Sequence, residues 1–220
     1  MKRRLRRATP TETSRSKGFS DGVFAVAITL LALDLVRVRA TPGVGDGSLF
    51  AAIGKFWPTL LAFAASFAFI GVTWINHHNV FARVSRLSKS LNAVNLLLLS
   101  GIIMIPWATS TLAEALSLPG MQGRQEVLLY SAVLVFQGIT WFLLFSVLAR
   151  HRELLEDPAD AHGFATDRLS PLIGGATGLI AGVIGYFWSP IVATALFLAM
   201  PIFFAVVSEG FESASAPTDP

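Results

Sequence analysis

Residues 15–35, RSKGFSDGVFAVAITLLALDL, decide how this chain is read. Asp21 and Asp34 bracket an uncharged run, residues 22–33. As a helix rising about 1.5 Å per residue, that run is only about 18 Å long, against roughly 30 Å of bilayer hydrocarbon. One or both carboxylates therefore lie near or inside membrane depth, where a lipid-facing charge costs at least about 2.5 kcal/mol. The helix is expected to be central rather than peripheral, with its acids turned to protein or water.

Successive residues of a helix are about 100° apart. With Val26 at zero, Leu33 lies about 20° away, Leu30 and Gly22 about 40° and Thr29 about 60°. Ser20 and Asp21 lie about 120° and about 140° away on the far side. A polar pair thus points one way and a stripe of Val26, Thr29, Leu30 and Leu33 another. The stripe reads either as ordinary helix packing or as a face that meets copies of itself or lines an axis.

The surrounding chain agrees with a membrane setting. Of 220 residues, 53% are hydrophobic and 14% charged, and the mean hydropathy is +0.61; a soluble domain carries about 25% charged residues. The charges gather between six apolar blocks, at 19–36, 50–77, 91–113, 126–149, 170–187 and 189–207. The expected fold is an all-α integral membrane protein with six transmembrane helices per subunit. Its expected parts are a basic N-terminal segment, 1–14, a six-helix domain, 15–208, and a disordered tail, 209–220. Trp188, Ser189 and Pro190 leave little room for a turn, so the last two blocks read as two spans or as one re-entrant hairpin. Gly174, Gly178 and Gly182 recur at the four-residue spacing that lets helices approach closely, and Pro106 and Pro201 are expected to mark kinks.

The N-terminus and the 78–90 and 150–168 loops hold 13 of the 17 Lys and Arg residues. By the positive-inside rule both termini are cytoplasmic. Arg outnumbers Lys 13 to 4, which points to a GC-rich bacterial genome and so to a bacterial plasma membrane. The basic head, Lys2 to Arg7, reads as a topology signal that touches anionic lipid; no aromatics are interleaved with it as nucleic-acid binding would require. There is no cysteine, so thiol chemistry and disulfides are excluded. No Walker loop, GxSxG elbow, paired catalytic carboxylates or TVGYG filter occurs, and the chain reads as no enzyme and as needing no cofactor.

Polar residues gather at one level. The second span ends WINHHNVF, with Trp74, Asn76, His77, His78 and Asn79; the third begins SLNAVNLLLL, with Asn92 and Asn95. Together with Ser20 and Asp21 they read as an inter-helix hydrogen-bond network, or as a gate or proton-sensing histidine. The four histidines, His77, His78, His151 and His162, are too few for a histidine-box metal centre.

Arg15, Phe19, Ser20 and Asp21 fit R-x-x-x-F-S-D, followed at once by GVFAVAITLLALDL. This resembles the first helix of prokaryotic members of the transmembrane protein 175 family of potassium channels. The HHNVF end of the second span and the NLLLL…P third span are similar too, so the resemblance covers most of residues 15–113. It implies a six-helix subunit, a homotetramer and a central pore lined by the first helices, without the ordinary potassium filter. By that resemblance Val26 forms a hydrophobic constriction, Thr29 a threonine layer, and Leu30 and Leu33 further apolar rings, while Arg15, Phe19, Ser20 and Asp21 brace the helix from behind. The family commonly has Ile or Leu at the constriction, so Val26 makes a wider ring. Asp34 reads as a cation-concentrating acid at the outer mouth or as an interfacial acid. The expected function is passive, potassium-selective flux, with K+ and a second copy of the chain as partners. The alternatives are a proton-coupled transporter that uses Asp21 and His77 as a relay, and a membrane subunit that passes no ions.

Overall fold

Lipid offers no partners to backbone amides, so apolar segments of this length satisfy themselves as helices. The computed structural model describes residues 10–39, 49–120 and 122–214. Seven helices occur among them: α1 Pro10–Arg39, α2 Leu49–Ala82, α3 Lys89–Ser117, α4 Arg124–Arg150, α5 Asp160–Asp167, α6 Ser170–Phe187 and α7 Pro190–Ala214. A 3-10 turn, Arg152–Leu154, follows α4, and an isolated antiparallel bridge joins Val84 to Leu155. Five helical stretches are long and apolar enough to cross a membrane, and Pro190–Ile202 of α7 is a shorter sixth. The chain is an all-helical, multi-pass membrane protein.

Several boundaries differ from the sequence expectation. Helix α1 begins at Pro10, so the division expected after residue 14 falls inside it. Part of the 150–168 loop folds as the 3-10 turn and α5, because Ala161 and Phe164, three residues apart, find burial together. Tertiary burial, rather than propensity, supports so short a helix. The tail expected from residue 209 starts within α7, whose backbone is helical to Ala214; residues 215–220, like the basic head at 1–9, lie outside the described residues. At the turn after α4, His151 Nδ1 lies 3.0 Å from Glu153 Oε1. The Glu153 carboxyl is held below its ordinary range by its own backbone amide first and by His151 second.

The core sits on α3 and α4, where Leu98, Ile102, Ile105, Leu112, Tyr130 and Leu144 are fully covered. Helix α4 packs most intimately against α6 through buried Gly175, Gly178, Gly182 and Gly185. That register departs from the expected Gly174–Gly178–Gly182 row, because a 3.6-residue helix turns alternate three- and four-residue steps toward one neighbour. A Cβ at Gly178 would meet Leu134 Cβ at 3.1 Å, and one at Gly182 would overlap Ser131 Oγ. Ser131 Oγ donates to the Gly178 carbonyl at 3.0 Å. Gly182→Ala therefore dislodges that hydroxyl and is expected to cost about 1–2 kcal/mol, read as a lowered Tm in detergent; an unchanged Tm would remove the close seam.

The last two blocks are separate helices. Trp188 N donates to Ile184 O at 2.8 Å and ends α6, and Pro190 opens α7 where its missing N–H costs nothing. Pro106 and Pro201 lie inside α3 and α7, whose helices run through them.

Candidate functional site

Helix α1 lies against α2 and α3, and its faces divide as helical geometry requires. Ser20, Phe24, Ala27 and Leu31 are buried. Gly22, Val26, Thr29, Leu30 and Leu33 are exposed, Val26 at 57% and Leu33 at 51%. Within one subunit α1 is peripheral, the least covered of the five long spans, which corrects the expectation of a central helix. Asp21 is satisfied by a neighbouring helix rather than by enclosure: Trp74 Nε1 donates to Asp21 Oδ1 at 3.0 Å. The Asp34 side chain lies outside the described ones.

Ser20 opens a directional chain of hydrogen bonds. His77 Nε2 lies 2.9 Å from Asn95 Oδ1, and Asn95 Nδ2 donates to Ser20 Oγ at 3.0 Å. Ser20 Oγ donates in turn to Ser16 O at 3.1 Å. An amide oxygen only accepts, so His77 carries its proton on Nε2. His77, Asn95 and Ser20 are all buried, and three helices meet in this chain. The imidazole stacks on Phe81 at 4.3 Å, with Phe24 at 5.3 Å and the Trp141 edge at 6.4 Å.

Other expected members stand apart. Arg15 and Phe19 are exposed, and at 100° per residue both fall about 20° from Val26, on the stripe side. Within the subunit they are not packed behind α1, whereas Ser20 and Asp21 bond to the neighbouring helices. His78 is exposed and tilts against Trp74 at 5.9 Å, while Asn76, Asn79 and Asn92 are exposed. A cleft of about 300 Å³ is lined by Lys17, Asp21, His77, His78, Phe81 and Ala82. Asp21 and His77 share this cleft without bonding each other, since their hydrogen bonds go to Trp74 and Asn95. Among the described residues no three His, Asp or Glu side chains converge as a metal site would need.

On the exposed face, Thr29 Oγ1 donates to Val26 O at 2.8 Å. The hydroxyl proton is thereby turned onto the backbone, and the oxygen lone pairs stay available to a cation.

Two features escaped the sequence. Trp141 joins the His77 enclosure from α4, and no local pattern connects residues so far apart. Thr109, Ser66 and Tyr130 form a second buried cluster, with Thr109 Oγ1 to Ser66 Oγ at 2.6 Å and Ser66 Oγ to Tyr130 OH at 2.9 Å. Small hydroxyl residues within apolar runs were its only visible signal.

Comparison with known proteins gives consistent matches. The family described as "Endosomal/lysosomal potassium channel TMEM175" matches residues 15–106. A potassium channel of Streptomyces collinus is 37% identical over 163 residues, 74% of this chain and 77% of that one. A potassium channel of Chamaesiphon minutus is 38% identical over 152 residues, covering 69% and 73%. The crystal structure of a lysosomal potassium-selective channel TMEM175 homolog from Chamaesiphon minutus superposes with a TM-score of 0.71 at 31% identity, over 90% of this chain and 98% of that one.

Proposed function

Because the chain belongs to the TMEM175 family, we propose that it is a potassium-selective cation channel in a bacterial plasma membrane. Four copies surround a central pore, and the exposed stripe of α1 lines it. Both termini are cytoplasmic, a reading supported by the Lys and Arg that gather at one end. Flux is passive, and no cofactor takes part.

The observation that carries this reading is one helix with two unlike faces. Its buried face is held by Asn95 and Trp74, while its open face leaves Val26, Thr29, Leu30 and Leu33 exposed on the subunit surface. Around an axis, the anchor holds a ring of Val26 side chains at a set width. A narrow apolar ring blocks ions by shedding water and conducts once a small rotation lets water in. Thr29 oxygens, their protons parked on Val26 carbonyls, then coordinate the partly dehydrated ion. Asp34 at the outer mouth raises the local cation concentration.

The test is a reversal potential in planar bilayers with potassium on one side and sodium on the other. A shift toward the potassium potential, in discrete openings, is expected. Slow, saturable, pH-coupled uptake without openings would transfer the assignment to a proton-coupled transporter. Thr29→Val removes the oxygen and keeps the shape. It is expected to lower the potassium-to-sodium permeability ratio about tenfold, or ~1.4 kcal/mol; an unchanged ratio excludes Thr29 from the filter.

A further inference from the structure

Helix α1 has a second polar tie, far from the anchor at Ser20. Thr13 is buried, and its Oγ1 donates to Ser85 O at 3.4 Å. Thr13 and Ser20 are seven residues apart, two helical turns, and so lie on one face within about 20°. The two hydroxyls pin α1 at two heights along the side opposite the stripe. A rotation of α1 about its own axis disturbs both at once.

Ser85 is itself held on its other side. Ser85 N donates to Leu154 O at 2.9 Å, and Ser85 Oγ reaches Leu154 O at 3.2 Å and Leu155 O at 3.0 Å. Arg86 N adds a bond to Leu154 O at 3.2 Å and Glu156 N one to Arg83 O at 2.9 Å. Val84, Leu154, Leu155, Ala161 and Phe164 are all buried around this pairing. Phe164 of α5 meets Phe145 at 5.4 Å, Phe145 meets Trp141 at 5.7 Å, and Trp141 edges onto His77. The segment 151–168 therefore touches both supports of α1, through Ser85 at its end and through the ring series behind His77.

We propose that Thr13 and Ser85 are positioning residues for α1, which set the rotation of its exposed stripe and make the segment 151–168 the element that controls it. That this rotation changes conduction rests on the channel reading above; that it sets the stripe does not.

The chain contains no cysteine, so single thiols report cleanly. A Cβ at Gly22 meets nothing within 4 Å, which makes Gly22→Cys a tolerated probe on the stripe. The full chain, in phosphatidylethanolamine–phosphatidylglycerol vesicles, is labelled with a maleimide. Adding Thr13→Val is expected to change the labelling rate at least about threefold, the scale of one lost hydrogen bond. Thr13→Ser, which keeps the hydroxyl, restores the original rate. Equal rates in all three proteins overturn the proposal.

A second pair guards against a Thr13→Val protein that fails to assemble. Residues paired across an antiparallel bridge lie close enough for a disulfide, so Val84→Cys with Leu155→Cys is expected to crosslink on mild oxidation. Reduction should then shift the open probability at least about threefold with the permeability ratio unchanged. No crosslink, or a crosslink whose reduction changes nothing in a conducting protein, overturns the proposal. Altered labelling in a chain that passes no current defeats the channel reading and leaves the positioning role standing; current with neither effect does the reverse.

Discussion

Replacing Val26 by Thr is expected to raise the resting potassium current about tenfold or more while the pore keeps its width. Thr has the shape of Val, so a purely steric gate would not notice the change. A dewetting gate would, because each hydroxyl lowers the cost of water in the ring by roughly 0.5–2 kcal/mol, and four copies contribute. About 1.4 kcal/mol is enough for a tenfold change. Val26→Leu, which narrows and dries the ring, is expected to lower the current. The measurement is macroscopic current from equal amounts of reconstituted protein. If Thr behaves as Val while Val26→Ala conducts more, the constriction is steric; if none of the three differs from wild type, Val26 is not the constriction.

The largest stability effect is expected at Asn95. Its amide is the junction between His77 of α2 and Ser20 of α1, and it is only 2% exposed. Asn95→Leu leaves the His77 Nε2 proton buried without an acceptor, at a cost of about 2–3 kcal/mol. Typical membrane polar contacts contribute less, about 0.6 kcal/mol, but they seldom leave a buried ring nitrogen with no alternative. Here the rings of Phe24, Phe81 and Trp141 pack around the imidazole and carry no strong acceptor themselves. Adding His77→Phe removes the orphan donor and fits a ring among rings, so the double variant should regain at least half of the loss. Thermal unfolding in detergent reads both changes. A single variant as stable as wild type would mean that the chain of hydrogen bonds is not what holds α1.

How much of this was legible beforehand varies by residue. The stripe from Gly22 to Leu33 and the opposed Ser20 followed from helical geometry, since the angle between two residues of one helix depends on nothing outside it. Asn95, His77 and Trp74 were recognisable as polar groups at one depth. Which of them paired was not, because Ser20 and Asn95 are 75 residues apart and the contact arises from helix packing. Phe19 and Arg15, grouped by motif with Ser20, are exposed and lie about 100° and about 140° round the helix from it. Nor did composition mark residues 150–168 as more than a basic loop, although burial of Phe164 and pairing with Ser85 organise it.

By itself, then, the amino-acid sequence determined that this is a helical membrane protein, where its long apolar segments lie and which faces of α1 differ. Those are properties of hydropathy and of a 3.6-residue turn, both local. Only the tertiary structure decided that Gly175 rather than Gly174 enters the α4–α6 seam, that Asn95 is the junction behind α1, and that Thr13 ties its end to Ser85. Each depends on how one helix is rotated and shifted against another, which is set by packing summed over whole surfaces and has no signature in any short stretch of chain.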